Sequence, residues 1–398
     1  MPRNRFDILS QYLHVNDQSK MPNKDDADFD KLFLVRPVLD IVRKRCLQNY
    51  NPHRECAVDE AMVSFRGRLD FRQYLPAKPT KYGIKVWMRA DSHNGYCNDF
   101  DVYLGKPRDG QRQVGLGKQV VERMTATLKG TNSHVYCDNY FSSPELCNVL
   151  RENGLYCCGT VKTNSKGLPD EVRSKRKLNA LVKDAGGFEQ FQKDGLLVSA
   201  WREKKGSKPV LVVSTNTDPA ADPSTIERKQ KNGDIMDIPC VEPIIEYDSW
   251  MNAVDHSDQL RTTYSIARSS KRWWLYLFWF LFDLSLANAF ICFKESPSHV
   301  RLTKENTEKK ATILTFKKAI VKNLLEGKNF YKRQRSSTGV LANDEGHWPT
   351  KSTSARRCKN CAANEKRAES RVICQGCSSK DNLVHLCIDC FLEYHEKR

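Results

Sequence analysis

Apolar residues recur along this chain with two periods, and the change of period marks its organisation. Phe6, Leu9, Tyr12 and Leu13 fall at helical spacing near the start. Leu32, Val35, Val38, Ile41 and Val42 repeat it and predict a second helix from about Asp30 to Asn49. The pattern then shifts to strands, over residues 56–65, over Ile84–Ala90 and, after an Asn94-Gly95 turn signal, over Tyr96–Leu104 as the returning arm of a hairpin. Helices are predicted over Val114–Leu128 and Pro144–Glu152, with short buried strands over Val135–Cys137 and Tyr156–Val161. Three strands, a helix, a strand, a helix and a strand make a mixed α/β sheet with helices packed on its faces. From about Thr163 to Val241 the pattern loosens, with strand candidates at Leu196–Arg202 and Val210–Ser214 and Asp218 as a turn residue after the second. That stretch reads as an insertion and not as a continuation of the sheet. Residues 336–355 read as a linker.

The most apolar run, Trp273–Phe293, is long enough to cross a membrane, but Asp283 and Asn288 interrupt it. A buried core helix accounts for it, and no membrane partner is expected. The start, MPRNRFDILSQYLHVND, lacks the apolar core of a signal peptide. Fifteen cysteines are therefore expected as reduced thiols and metal ligands. The length of 398 residues predicts two to three domains.

Charge adds a partner. There are 65 Lys and Arg against 48 Asp and Glu, a net +17. Between Arg261 and Arg335, 16 basic residues face 5 acidic ones. So concentrated a bias points to nucleic acid. Arg268, Lys271, Arg272 and Trp273 lie in this stretch, and the last three form a basic-aromatic cluster suited to a DNA end, where a ring can stack on a base. Trp274 is expected in the core and Trp273 nearer the DNA.

Three aspartates carry the candidate chemistry: Asp59 in CAVDEAMVSFRGR, Asp138 in VYCDNYFSS and Asp255 in NAVDHSDQLR. Asp59 falls on the first strand, and Asp138 falls at the carboxyl end of the fourth, where open α/β sheets place ligands. Carboxylates from distant segments suit hard divalent ions, and a metal pair suits in-line displacement at phosphorus. Asp258 follows Asp255 by three residues on one helix face. It either assists the metal site or answers the helix dipole. Arg66 and Arg68 either contact phosphate or pair with acids beside the site.

The last 41 residues hold Cys358-x2-Cys361, Cys374-x2-Cys377, His385-x-Cys387-x2-Cys390 and His395. Eight thiolate and imidazole ligands make two four-coordinate zinc sites, and metal would supply much of the folding free energy of so small a segment. The pairing stays open. A cross-braced arrangement fits the spacing and would suit a PHD or RING module. The other nine cysteines, Cys157 and Cys158 among them, are expected in the core.

The segments VDEAMVSFRGRLDFRQYLPAKPTKYGIKVWM, YCDNYFSSPEL, GTVK and VDHSDQLRTTYSIARSSKRWW resemble the piggyBac family of DNA transposases, over nearly the whole chain. The resemblance implies an RNase H-like catalytic core with flanking helical DNA-binding and dimerisation segments, an insertion domain and a cysteine-rich zinc domain. By position, 1–54 and 265–335 would be the two parts of the dimerisation and DNA-binding domain, and 55–163 and 241–264 the core. Residues 164–240 would be the insertion, 336–355 the linker and 356–398 the zinc domain. The family's metal-binding aspartates match Asp59, Asp138 and Asp255, a further important aspartate matches Asp258, and an aromatic near the transposon end matches Trp273. The implied activity is nuclear cut-and-paste transposition by a homodimer. It would use two Mg²⁺ and two Zn²⁺ ions, with double-stranded terminal repeats and a TTAA target as partners. Against the family pattern the chain starts late, which makes a truncated or host-adopted copy an expectation too. Two alternatives follow: a domesticated, catalytically inactive, sequence-specific DNA-binding protein, and a protein-interaction module in the tail.

Overall fold

The computed structural model describes all residues except Met1, Ala77, Pro79, 107–114, 230–232, 305–309, 326–346, Lys380 and 397–398. The chain divides into one unit of Tyr12–Val321 and another of Met1–Gln11 with Lys322–Arg398.

In the second unit, α1 (Arg3–Gln11) buries none of its residues. In the first, α2 (Arg36–Gln48) starts later than the apolar period suggests, because Pro37 sits in its first turn. There a missing N–H costs nothing and φ is already helical. Next come β1 (Glu55–Ser64), β2 (Gln73–Tyr74), β3 (Tyr82–Asp91) and β4 (Cys97–Val102). They are followed by α3 (Leu116–Thr125), β5 (His134–Cys137), α4 (Pro144–Glu152) and β6 (Tyr156–Thr160). Helix α4 carries its own start signals: the Ser143 hydroxyl caps the Leu146 N–H, Pro144 leads, and Glu145 answers the dipole. Then follow α5 (Lys175–Leu181), β7 (Phe188–Lys193), β8 (Leu196–Trp201), β9 (Val210–Ser214) and the β10–β11 hairpin (Ser224–Lys229, Ile235–Cys240). Four helices follow: α6 (Glu242–Trp250), α7 (Ala253–Thr262), α8 (Trp273–Glu295) and α9 (Pro297–Lys304). Helix α10 (Ile313–Leu325) comes next.

One nine-stranded sheet organises this unit, in the order β2-β3-β1-β5-β6-β9-β8-β7, with β4 also on β3. Strands β1, β5 and β6 are parallel and the other pairs are antiparallel. This corrects one expectation. Residues 188–214 continue the sheet, because β9 pairs with β6 through Cys158↔Ser214 and Thr160↔Val212. The loose polar stretches are the connections between these strands; β8 and β9 bury against the core, while β7 forms the half-exposed edge.

Strand alternation splits the core into two layers. On one face Cys56, Val58 and Cys137 pack with Val121 and Met124 of α3 and Leu146 and Leu150 of α4. On the other, Ala57, Ala61 and Tyr136 pack with Leu39 of α2, Ile244 of α6, Val254 of α7 and Leu277 and Leu281 of α8. Helix α8 is long and apolar enough to cross a membrane, and 56% of its most apolar window is buried inside the protein. Its two polar interruptions are bonded. Asn288 donates to the Cys97 carbonyl at 2.9 Å and accepts from the Cys97 N–H at 3.0 Å. Asp283, 1% exposed, accepts from the Ser265 hydroxyl at 2.6 Å and faces Lys317 at 3.5 Å. Eight of the nine cysteines outside the tail are buried and Cys292 is half-buried, as expected.

In the tail, β12 (Pro349–Arg357) pairs with β13 (Glu369–Cys374), joined by α11 (Lys359–Ala363) and followed by α12 (Ile388–Glu396). The expected linker is thereby corrected at its end: residues 349–355 form a strand, while 336–346 lie outside the described residues.

Candidate functional site

The last pair of the parallel β1–β5 ladder is Val58↔Cys137, so Asp59 on β1 and Asp138, just past the end of β5, come next. Strands so paired lie about 4.8 Å apart. Alternation with Ala57 and Tyr136 puts both aspartates on the face covered by α7. Helix α7 lies on β1 and β3, and Asp255 occupies its first turn, exposed. Gly95, at φ +80°, forms the β3–β4 turn beneath it. A side-chain carbon there would come within 3.0 Å of His256 Cβ and the Ser257 nitrogen, so only glycine lets α7 seat against the sheet.

The site is acidic, with Asp59, Asp138 and Asp258 half-buried. Burial, then the neighbouring Glu60, push the Asp59 carboxyl from 3.8 up to about 7, and Asp138 adds to the effect. Burial also raises Asp138, against the Tyr140 N–H that donates to its Oδ1 at 2.8 Å. Asp258 is raised by burial, although Arg261 donates to its Oδ1 at 2.9 Å.

One cation sits among these acids. Lys78 Nζ lies 3.8 Å from Asp59 Oδ2 and 3.5 Å from Glu60 Oε1. Burial opposes its charge, but Asp59, Glu60 and Asp255 together hold its pKa above the ordinary lysine value. A second lysine, Lys85, lies 3.6 Å from Glu60 Oε2 with its ammonium 3.8 Å over Trp87 and 4.7 Å over Tyr140. Burial lowers its pKa. Among the described residues, the three aspartates do not close to within 4.8 Å of one another as a ligand group. The fold brings the three aspartates to one face of the sheet, with Lys78 as its resident cation. Glu60, Lys78 and Lys85 were not singled out from sequence, although all lie in the quoted VDEAMVSFRGR…KPTKYGIK segment.

Beyond Asp59, β1 leads to a cleft of about 770 Å³ lined by Ser64, Arg66, Arg72, Thr80, Lys81 and Tyr82. Arg66 and Arg68 are exposed, and among the described residues neither pairs with an acid. Arg268 and Lys271 are exposed as well. Arg272 is half-buried, donating to the Leu13 carbonyl at 3.1 Å and lying 5.4 Å over Trp274. Trp274 is core, at 4% exposure. Trp273 is half-buried and meets Phe71 edge-to-face at 5.4 Å, so part of its ring serves packing. Asp218 caps a turn by accepting from the Ala220 N–H, as expected.

The tail builds two four-residue clusters: Cys358, Cys361, Cys387 and Cys390, and His347, Cys374, Cys377 and His395. The ligand pairs interleave along the chain in the cross-braced manner. Cys361 Sγ lies 3.4 Å from Cys390 Sγ and 3.8 Å from Cys387 Sγ. Zinc–sulfur bonds of about 2.3 Å in a tetrahedron require sulfurs about 3.8 Å apart, so the donors and their spacing fit zinc. His395 donates from Nδ1 to the Phe391 carbonyl, which turns Nε2 toward Cys374 at 3.2 Å. Burial would raise the Cys358 thiol, but backbone N–H groups of Cys361 and Cys387 outweigh it and bring it down to about 7.

His385 is a correction. It is 2% exposed and outside both clusters, and its Nδ1 is 2.8 Å from the Ser370 carbonyl. Its bridge to Ile373 ties it into the β-layer, so the His-x-Cys spacing misleads. The eighth residue of the two clusters is instead His347, within the stretch expected as linker. The signal for it was a histidine eleven residues ahead of Cys358.

A family model described as transposase IS4 matches residues 1–290. The chain is 26% identical over 409 aligned residues to the Homo sapiens piggyBac transposable element-derived protein 3, covering 99% of this chain and 63% of that protein. To the Homo sapiens piggyBac transposable element-derived protein 2 it is 23% identical over 306 residues, covering 72% of this chain and 48% of that protein. The chain thus spans less than two thirds of the length of these relatives. A cryo-EM structure titled as a piggyBac transposase synaptic complex with hairpin DNA matches its fold. The TM-score is 0.68 and the identity 24%, over 98% of this chain and 80% of that one.

Proposed function

The chain belongs to the piggyBac-type transposase IS4 family, and on that premise we propose that it cuts and joins DNA at the acidic face of its central sheet. The observation that carries this reading is the β1–β5 register, which sets Asp59 beside Asp138 under α7, with Asp255 in that helix's first turn. The order β4-β3-β1-β5-β6, with the last three parallel, supports reading residues 55–163 and 241–264 as an RNase H-like core.

Asp59, Asp138 and Asp255 are the residues that would hold two Mg²⁺ ions, since an all-oxygen donor set suits a hard cation. When bound, such ions supply charge stabilisation to the attacking and leaving oxygens of a displacement at phosphorus. The chain's own groups do the rest. The Tyr140 N–H fixes one oxygen of Asp138. Arg261 holds Asp258 beside the site. Arg66, Arg72 and Lys81, in the adjoining cleft, offer three positive charges to a phosphate backbone, which fixes register without reading sequence. Arg68, Arg268, Lys271, Arg272 and Trp273 extend the contact surface. In this reading the substrate is double-stranded DNA bearing terminal repeats, the target is TTAA, the working form is a nuclear homodimer, and the tail holds two Zn²⁺ ions.

The test is cleavage of DNA carrying the cognate ends in Mg²⁺. Asp138→Asn abolishes cleavage while DNA binding persists; a variant that cuts as well as the parent chain refutes the assignment. A second reading, DNA binding without cleavage, is favoured by Lys78 standing beside Asp59 and Glu60, where a metal would bind. Salt-steep DNA affinity with no cleavage in Mg²⁺ or Mn²⁺ would establish it.

A further inference from the structure

Two lysines share Glu60, and they are held very differently. Lys85 is fixed: 7% exposed, on strand β3, between Trp87, Tyr140 and Glu60 Oε2. Lys78 lies between β2 and β3, its side chain 31% exposed, and its ammonium bridges Glu60 Oε1 and Asp59 Oδ2 at 3.5 and 3.8 Å. No other cation lies within ion-pair distance of Asp59 among the described residues.

We propose that Lys78 is an internal counter-cation of the acidic site: it neutralises Asp59 and Glu60 when no divalent ion is present, and it gives way when one binds. The inference rests on the reading of Asp59, Asp138 and Asp255 as metal ligands. Its physical basis is competition. Asp59 has Asp138 just beyond the end of the adjoining strand and Glu60 next to it in sequence as like-charged neighbours, with one ammonium between Asp59 and Glu60. A single ammonium relieves that repulsion at the cost of lying in the path of any other cation. Glu60 is then not a fourth metal ligand but a positioning residue. Lys85 pins one of its oxygens, and the other anchors Lys78 at the rim. Displaced, Lys78 is free to meet a phosphate oxygen of DNA entering from the cleft at Lys81 and Arg72.

The experiment measures Mn²⁺ affinity of the full zinc-loaded chain by titration with electron paramagnetic detection of free Mn²⁺. Lys78→Met, which keeps length and removes charge, binds Mn²⁺ about tenfold more tightly, equivalent to about 1.4 kcal/mol. Lys78→Arg keeps the parent affinity. Equal or weaker binding by Lys78→Met overturns the proposal. Asp59→Asn and Asp138→Asn separate the two layers of inference. If neither weakens Mn²⁺ binding, the functional reading itself fails. If both do and Lys78→Met changes nothing, only the role of Lys78 fails. A readout on the unmutated chain covers the case of a misfolded variant. Amine-specific labelling of Lys78, followed by mass spectrometry, accelerates severalfold when Mn²⁺ is added. An unchanged rate overturns the displacement.

Discussion

Replacing Asp59 by Asn should stabilise this protein at high pH, in the absence of divalent ions, and leave it unchanged at low pH. The Asp59 carboxyl is pushed from 3.8 to about 7 by burial and by Glu60. A folded state that holds a proton more tightly than the unfolded chain is favoured at low pH, and that advantage is lost as pH rises from about 4 through about 7. A shift of about three units, at 1.36 kcal/mol each, sets a ceiling of about 4 kcal/mol. The side chain is 23% exposed and Lys78 stands 3.8 Å away. The shift already includes Lys78, and solvent reaching the partly exposed carboxyl relaxes part of the penalty, leaving about 2 kcal/mol. Asparagine keeps the shape and removes the ionisation. Urea denaturation with chelator present, read by tryptophan fluorescence, should therefore show no difference near pH 4 and a gap of about 2 kcal/mol in favour of the variant near pH 8. A gap that is the same at both pH values, or a parent chain more stable at high pH, would refute the reasoning. Such a result would mean that the site does not store the repulsion a divalent ion is to relieve.

Two further outcomes follow from the geometry. Elemental analysis should find about two zinc ions per chain, about one in Cys361→Ser or His347→Ala, and about two in His385→Ala; loss of zinc in the last variant would restore the spacing-based ligand set. Asp283→Ala should lower stability by about 3 kcal/mol, because it removes the buried carboxylate that pairs with the half-buried Lys317 and accepts from Ser265 and the Ile266 N–H; a shift in melting temperature no larger than that of an exposed substitution would refute it.

The elements that were legible in sequence are those governed by local rules. Helix α4 spans Pro144–Glu152 as its cap, proline and periodicity predict. Strands β1, β3 and β4 and the Gly95 turn follow from alternation and from one backbone position that favours glycine. The polar breaks in α8 predicted a packed helix, and Asn288 and Asp283 are bonded. The failures share one cause. Strands β8 and β9 were recognised as strands but assigned outside the sheet, because β9 finds its partner β6 about fifty residues away and pairing leaves no mark on a strand's own pattern. His385 had ligand spacing, but its bridge to Ile373 turned it inward.

Residue type and period along the chain are set by chemistry within one or two turns, and they sufficed to place three aspartates, six tail cysteines and an excess of positive charge in their elements. Which side chains share a point in space depends on register and on helix seating, both of which are products of the whole fold. Hence the pairing of Asp59 with Asp138 and the ammonium of Lys78 among the acids emerged only from the seating of β1, β5 and α7, and the exchange of His385 for His347 only from the packing of the tail's own strands.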